Sequence, residues 1–146
     1  MSRAVSEIHQ GDICVKPRVQ VTELRNSGDK RGYSFTAPPE ALEFLGRVLD
    51  VHLASIAPAG VRGNHFHLRR REAIVIVYNA EWSLHWDEGE HTPAQHLQFS
   101  GAGARLILVE PGSSHAVRND GAQPISLVAL SSEVYDPAES VVRKVT

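Results

Sequence analysis

The chain has 146 residues, which is enough for one domain built around a single hydrophobic core. Its formal net charge of −2 argues against a nucleic-acid partner and against a polybasic membrane anchor. No apolar run approaches the ~18 residues of a membrane-spanning helix, and the polar N-terminus lacks the apolar stretch of a signal peptide. We therefore predict a single domain over residues 1–146, in which residues 1–10 form a flexible N-terminal segment.

Cysteine usage gives a hint about the compartment. The sole cysteine, Cys14, has no partner for an internal disulfide. Because an unpaired cysteine suits a reducing environment, we expect a cytoplasmic protein. Histidine, by contrast, is abundant for this length, with eight copies, so the positions of the histidines become the main question.

Strand patterns outweigh helical patterns along the chain. Runs that are rich in β-branched residues, or that alternate between apolar and polar residues, are separated by turn-forming clusters of Gly, Pro, Asn and Asp. The run AIVIVY within 72–78 is apolar on both faces, which predicts an interior strand that is covered on both sides. The predicted strands are 13–24, 46–57, 72–78, 82–86, 105–109 and 125–130.

One short helix interrupts this pattern. Two prolines precede residues 40–45, where three apolar residues have helical spacing and Gly46 follows as a terminator. The helix is a turn or two long at most. Many short strands with regular turns predict an antiparallel β-sandwich or barrel.

A histidine pair and a glutamate stand out in the segment GNHFHLRRRE. His65 and His67 are two residues apart, so on a strand they project to one face. The four residues 68–71 are long enough for a hairpin connection, which would bring Glu72 beside the histidines on the returning strand. Two imidazoles and a carboxylate form most of a divalent metal site. Another histidine, His115, enters a strand after the turn 111–114.

The two segments VRGNHFHLRRRE and PGSSHAVRN resemble, in this order, the first and second motifs of the cupin superfamily. The resemblance implies an all-β fold, the antiparallel double-stranded β-helix or jelly-roll barrel, with at most a short helix. It also implies a homodimer. By the resemblance, four side chains fall on metal-binding positions for zinc, nickel, manganese or iron: His65, His67, Glu72 and His115. Asn79 stands where the first motif usually has a closing glycine.

A narrower resemblance concerns function. The phrases RGNHFH, EPGSSHAVRN and EVYDPAE resemble cupin domains of polysaccharide-assembly enzymes that act on nucleotide sugars. They also resemble sugar-nucleotide epimerases and ketoisomerases, whose Arg-Gly-x-His stretch supplies the catalytic histidine. This implies proton abstraction from a keto sugar, in which a metal polarises the carbonyl and a histidine or water moves the proton. The candidate catalytic histidines are His65 and His67.

Two further side chains enter the site hypothesis. Arg62 directly precedes the histidine strand and is a candidate for binding a phosphate or carboxylate of the substrate. Tyr78 shares the parity of Glu72, so it faces the interior either as a general acid or as a packed core residue. The neighbouring run of arginines at 69–71 is predicted to be a solvated hairpin.

Alternatives remain open at this point. The four polar groups would fit a metal-free barrel in which the histidines act as acid and base. An iron-dependent dioxygenase and a non-catalytic binding or sensor module are the other function classes. Four histidines have no motif around them and are read as surface or structural residues: His52, His85, His91 and His96.

Overall fold

Two five-stranded antiparallel sheets face each other in the structure, a computed structural model that describes residues 16–146. The predictions for residues 1–10 and for Cys14 lie outside the described residues. The described part of the chain contains one α-helix, α1 (Pro39–Leu45), and a 3₁₀ turn, Pro137–Glu139. Its strands are β1 (Val19–Leu24), β2 (Asp50–Ile56), β3 (Val61–His67), β4 (Glu72–Asn79), β5 (Trp82–Trp86), β6 (Gln95–Phe99), β7 (Ala102–Val109), β8 (His115–Asn119), β9 (Ile125–Ser131) and β10 (Ser140–Val142).

The first sheet has the order β1-β7-β4-β9-β2, and the second has the order β10-β3-β8-β5-β6. All neighbouring strands are antiparallel, so the predicted all-β antiparallel class and the short helix are confirmed. Strands β6 and β10 were not predicted, and residues 46–49 are not part of β2. No helix among residues 16–146 is long and apolar enough to cross a membrane.

Strand β4 lies at the centre of the first sheet and is covered on both faces, as its apolar run predicts. Ile74 and Ile76 point into the space between the sheets and are at most 4% exposed. On the other face, Ala73 is fully buried in a second cluster that includes Ala41 and Leu45 of α1. Asn79 ends β4 without positive φ, so no glycine is required there.

The connection 68–71 is not a hairpin, which corrects the prediction. Strand β3 belongs to the second sheet and β4 to the first, so this segment crosses from one sheet to the other. Contacts from the C-terminal region hold it: Glu139 Oε1 accepts from the backbone N–H groups of Arg69 and Arg70 at 2.6 and 2.7 Å. Arg71 N–H donates to Ser132 Oγ at 2.9 Å. Loop length alone was compatible with a hairpin, but pairing partners 60–70 residues away decide the path.

A bulge in β3 sets the direction of the histidine strand. The pairing of β3 with β8 shifts register between Gly63 and His65, where Gly63 has φ 114° and Asn64 has φ 58°. A Cβ on Gly63 would overlap the carbonyl oxygen of His115. Glycine is therefore needed for the close approach of the two strands. The bulge leaves His65 directly opposite His115.

Candidate metal and substrate site

The four predicted ligands converge inside the barrel from its two facing sheets. His65 and His67 come from β3, His115 comes from the neighbouring β8, and Glu72 comes from β4 in the opposite sheet. The three imidazoles each offer a ring nitrogen within 4.8 Å of the others. Their ring centroids are 5.0–6.0 Å apart. Glu72 thus meets the histidines across the interior and not as a neighbour in a hairpin.

The carboxylate of Glu72 lies between two of these imidazoles. Its Oε1 is 3.0 Å from Nε2 of His67, and its Oε2 is 3.1 Å from Nε2 of His115. All three side chains are at least nine-tenths buried. A buried carboxylate needs partners that compensate for its loss of hydration, and here both oxygens face ring nitrogens.

Outer contacts fix the tautomers of the two imidazoles. His67 Nδ1 lies 2.9 Å from Oε2 of Glu139, and His115 Nδ1 lies 3.2 Å from the carbonyl oxygen of Ser113. A carbonyl and an ionised carboxylate only accept, so each Nδ1 donates its hydrogen outward. In a neutral ring the other nitrogen, Nε2, then presents a lone pair to Glu72. A neutral ring would repel the carboxylate at 3.0–3.1 Å, so the arrangement is stable either with a proton on Nε2 or with a metal ion bound between the nitrogens and the carboxylate.

The pKa shifts follow from this arrangement. Burial raises the pKa of Glu72, but the contacts with His115 and His67 outweigh it and hold the pKa well below its usual range. Burial lowers the pKa of His67, yet Glu72 and Glu139 together raise it above the ordinary histidine value. Burial and the neighbouring His115 and His67 lower the pKa of His65 to about 4. His65 is therefore a neutral imidazole near neutral pH.

The donor set fits a divalent metal ion. His67 Nε2 is buried without a hydrogen-bond partner, because Glu72 Oε1 is close but not in hydrogen-bonding geometry. Three imidazole nitrogens and one carboxylate oxygen suit zinc, nickel or iron better than magnesium or calcium. Ligand histidines usually donate their other N–H to a carboxylate or carbonyl, as His67 and His115 do here.

Glu139 is a site residue that the sequence analysis missed. It lies in the 3₁₀ turn, is 3% exposed, and accepts from two backbone amides as well as contacting His67. Burial raises its pKa, but the amides of Arg69 and Arg70 and the His67 contact lower it overall. The only signal in the sequence was its place in the phrase EVYDPAE, which carries no pattern for a buried carboxylate.

Arg62 lies at an open cavity of about 340 Å³ beside the histidines. In β3 it is paired with Val117, an interior residue of β8, and its Nε donates to the carbonyl oxygen of Ser55 at 2.8 Å. This contact leaves the terminal nitrogens for a ligand. His52 of β2, read from sequence as a surface or structural residue, also lines the cavity.

Tyr78 does not join the site. It shares the interior face of β4 with Glu72, as its parity predicts, but six residues of strand place it about 20 Å away. Its ring packs against Trp82 with centroids 5.4 Å apart, and its hydroxyl accepts from Arg105 Nε at 3.3 Å. Two cavities adjoin the histidines, the first of about 340 Å³ and the second of about 440 Å³. Tyr78 lines neither of them and is a buried core residue.

The prediction of a solvated run at 69–71 holds for two arginines and is wrong for the third. Arg69 and Arg71 are exposed, whereas Arg70 is 7% exposed and points toward Glu72 and Glu139. The crossing between the sheets turns the middle residue inward, which no local pattern indicates.

Solved structures that this chain resembles include sugar-modifying enzymes. An RmlC epimerase of Mycobacterium tuberculosis has 19% identity and a TM-score of 0.68, covering 86% of this chain and 68% of that one. NovW of Streptomyces spheroides, a 4-keto-6-deoxy sugar epimerase, has 21% identity and a TM-score of 0.67, covering 84% and 67%. QdtA of Thermoanaerobacterium thermosaccharolyticum, a sugar 3,4-ketoisomerase solved with TDP, has 15% identity and a TM-score of 0.63, covering 85% and 87%.

At these identities the likeness defines the fold, which is the predicted cupin jelly roll. No curated protein matches the chain by sequence. A family model described as the polysaccharide biosynthesis C-terminal domain matches residues 28–141, and the chain belongs to that family.

Proposed function

We propose that this protein is a metal-binding cupin that epimerises or isomerises a nucleotide-linked keto sugar. The observation that carries the proposal is the buried pair of imidazoles, His67 and His115, which donate outward from Nδ1 and direct Nε2 at Glu72 in the wall of an open cavity. The similar fold of the nucleotide-sugar epimerases and ketoisomerases supports it.

The three imidazoles and Glu72 would hold the metal, and a bound divalent ion would polarise the carbonyl of the sugar. The lowered pKa of His65, about 4, suits a neutral ligand better than a base. Its position in the cavity wall still gives it the alternative role of acid or base if the protein works without metal.

His52 is our candidate for moving the proton. It lines both cavities at the site and is exposed, so its imidazole is accessible to a bound ligand. Histidine is the side chain most often used for general acid–base catalysis. His65, His67 and His115 are all taken up by the ligand cluster, whereas His52 is outside it.

Arg62 would bind the diphosphate. A guanidinium matches phosphate oxygens with paired N–H groups, and the contact to Ser55 fixes its orientation at the open side of the cavity. This places the charged end of the ligand near solvent and the sugar near the histidines.

The test uses protein expressed without metal and then loaded with zinc, nickel, manganese or iron. TDP-4-keto-6-deoxyglucose is incubated with each form in D₂O, and deuterium at the carbons beside the carbonyl is followed by NMR. We expect exchange with at least one metal form, and a lower rate for His52→Asn with the metal content unchanged. The matched control, His91→Asn, alters a side chain that is 90% exposed and should leave the rate unchanged.

Absence of exchange in all metal forms, with TDP- and UDP-linked 4-keto sugars alike, would overturn the proposed reaction. Exchange that persists in metal-free protein would assign the histidines to acid–base chemistry alone. Iron-dependent oxygen consumption would support a dioxygenase, and binding without turnover would support a sensor. The homodimer and the cytoplasmic location stay predictions, of which the first is checked by light scattering.

A further inference from the structure

A buried carboxylate outside the ligand cluster, that of Asp87, reaches the turn before His115. Asp87 directly follows β5 and is 4% exposed. Its side chain forms an ion pair with Arg143, whose Nε donates to Oδ2 and whose Nη2 donates to Oδ1, both at 2.7 Å. Neither residue lines the two cavities at the histidines. Because a buried carboxylate is costly unless its hydrogen bonds are complete, its other contacts show what the pair holds in place.

The carboxylate of Asp87 holds one peptide group of the turn 111–114. Its Oδ1 accepts from the backbone N–H of Ser114 at 3.0 Å. The carbonyl oxygen of the same peptide group, that of Ser113, faces Nδ1 of His115 at 3.2 Å. A trans peptide is planar, so its C=O and N–H point in opposite directions. Binding the N–H on one side therefore aims the carbonyl at the imidazole on the other, and both serines are fully buried.

Arg143 fixes the carboxylate and the turn together. Its Nη2 also donates to the carbonyl oxygen of Gly112 at 2.6 Å, and its guanidinium lies over the ring of Phe66, 4.2 Å from the centroid. The N–H of Gly112 in turn donates to the carbonyl oxygen of His67 at 2.8 Å. One arginine thus joins the turn before His115 to the strand that carries the other two histidines.

The two imidazoles that face Glu72 differ in their outer contacts. Nδ1 of His67 meets the carboxylate of Glu139 directly, whereas Nδ1 of His115 meets a carbonyl oxygen. A carboxylate that accepts from the N–H of a peptide polarises its C=O, because hydrogen bonds in a chain strengthen one another. Through one peptide group, Asp87 therefore gives His115 part of the negative potential that Glu139 gives His67 directly.

We propose that Asp87, held by Arg143, is a positioning residue for His115 and acts through the peptide group between Ser113 and Ser114. It keeps a hydrogen on Nδ1 of the imidazole and leaves Nε2 as the nitrogen that binds metal. The inference rests on the metal site of the proposed function, and it extends to His115 the role that outer carboxylates have for metal-binding histidines.

The experiment follows the Nδ1–H signal of His115 by ¹H–¹⁵N NMR in metal-free protein, and then measures the dissociation constant of zinc. Asp87→Asn keeps the size of the side chain but removes the charge and places an NH₂ group against Arg143. We expect the Nδ1 proton to move upfield, the direction of a weaker hydrogen bond, and zinc affinity to fall by about tenfold. The matched control is Asp120→Asn at the opposite end of β8, where the carboxylate pairs with Arg118. It should change neither the signal nor the affinity.

A purely structural ion pair would give a different result. Asp87→Asn would then lower the free energy of unfolding, while the folded variant kept the His115 signal and the zinc affinity of the wild type, and that outcome overturns the inference. A shift of the His67 Nδ1–H signal as large as that of His115 would also overturn it, since the whole site would then have loosened.

A second variant covers the case in which Asp87→Asn does not fold. Arg143→Lys keeps the positive charge but loses the planar fork that holds both oxygens of Asp87. It should move the His115 signal in the same direction, and an unmoved signal overturns the inference.

The inference and the proposed function fail separately. If the wild type binds none of zinc, nickel, manganese and iron, the metal-dependent function is wrong, and the NMR signal in metal-free protein still tests the action of Asp87 on His115. If the wild type binds zinc and folded Asp87→Asn binds it equally well, the metal site stands and the positioning role is wrong.

Discussion

The interior of the barrel has two ends that the same strand builds with opposite chemistry. On β4, Glu72 lies among imidazoles, whereas Tyr78 on the same face lies among aromatic residues. At the apolar end, Trp82 is fully buried and stacks on Phe99 with centroids 4.4 Å apart. One face of a strand therefore supplies both the stabilising core and the candidate site, and only distance along the strand separates the two.

The two ends also differ in how well their polar groups are satisfied. At the site end, His67 Nε2 and Arg70 Nε are buried and unpaired, beside the buried carboxylates of Glu72 and Glu139. The apolar end contains one such atom, the indole nitrogen of Trp82. Burial of apolar area stabilises the aromatic end, whereas the site end carries polar groups that a ligand or ion would satisfy. We therefore expect stability and ligand binding to respond to mutations at different ends.

The largest effect is expected on the free energy of unfolding, when a buried ring at the aromatic end of the barrel is removed. Trp82→Ala should lower the free energy of unfolding by about 3–5 kcal/mol, because it removes a fully buried ring and leaves a cavity. Trp82→Phe should cost less, since it retains a ring and removes the unpaired N–H. Urea denaturation measures both. If the folded fraction of Trp82→Ala loses its metal, the two ends are not independent.

The next effect is expected from removing a ligand at the site end. His67→Ala and His115→Ala should each weaken metal binding by more than about 100-fold, beyond the loss typical of outer contacts. His85→Ala and His91→Ala are the controls, because neither residue lies in the ligand cluster. Metal content is measured by elemental analysis on protein shown to be folded by circular dichroism. A full equivalent of metal in the folded variants would mean that the cluster is not a metal site.

A smaller effect is expected from Glu139, which contacts Nδ1 of His67 and so positions its ring. In Glu139→Gln the amide oxygen can still accept from the backbone at 69–70, while the amide N–H faces Nδ1 of His67. The imidazole should then move its hydrogen to Nε2 and lose the lone pair that faces Glu72. We expect metal affinity to fall by about 10–100-fold, with a tautomer change visible by ¹⁵N NMR. Glu133→Gln, which alters a pair with Arg47, is the control. An unchanged tautomer would refute the positioning role.

The smallest effect concerns pH in metal-free protein. Because the pKa of folded His65 is about 4 against 6.5 in the reference state, the unfolded chain takes up this proton first. The His65 contribution to the free energy of unfolding should therefore fall as the pH drops from 6.5 toward about 4. His67 acts in the opposite sense, since its raised pKa adds stability at the lower pH and loses it as the pH rises. His65→Asn should flatten the decline in urea melts; an unchanged slope would contradict the assignment.

The sequence by itself determined which side chains share one face of a strand. Alternation along a strand places His65 and His67 on one face, and it places Glu72 and Tyr78 on one face of β4. The apolar run of β4 predicted its central, doubly covered position. These inferences hold because side-chain direction in a strand depends on parity alone.

Only the tertiary structure decided which faces meet and at which end. Tyr78 has the same parity as Glu72, which made it a candidate for the site, but it lies too far along β4 to reach the histidines. The crossing at 68–71 turns Arg70 inward. Glu139 reaches His67 from 72 positions away, and His52 joins both cavities from an edge strand. Such contacts depend on how two sheets close over each other, and that long-range pairing leaves no periodic trace in the chain.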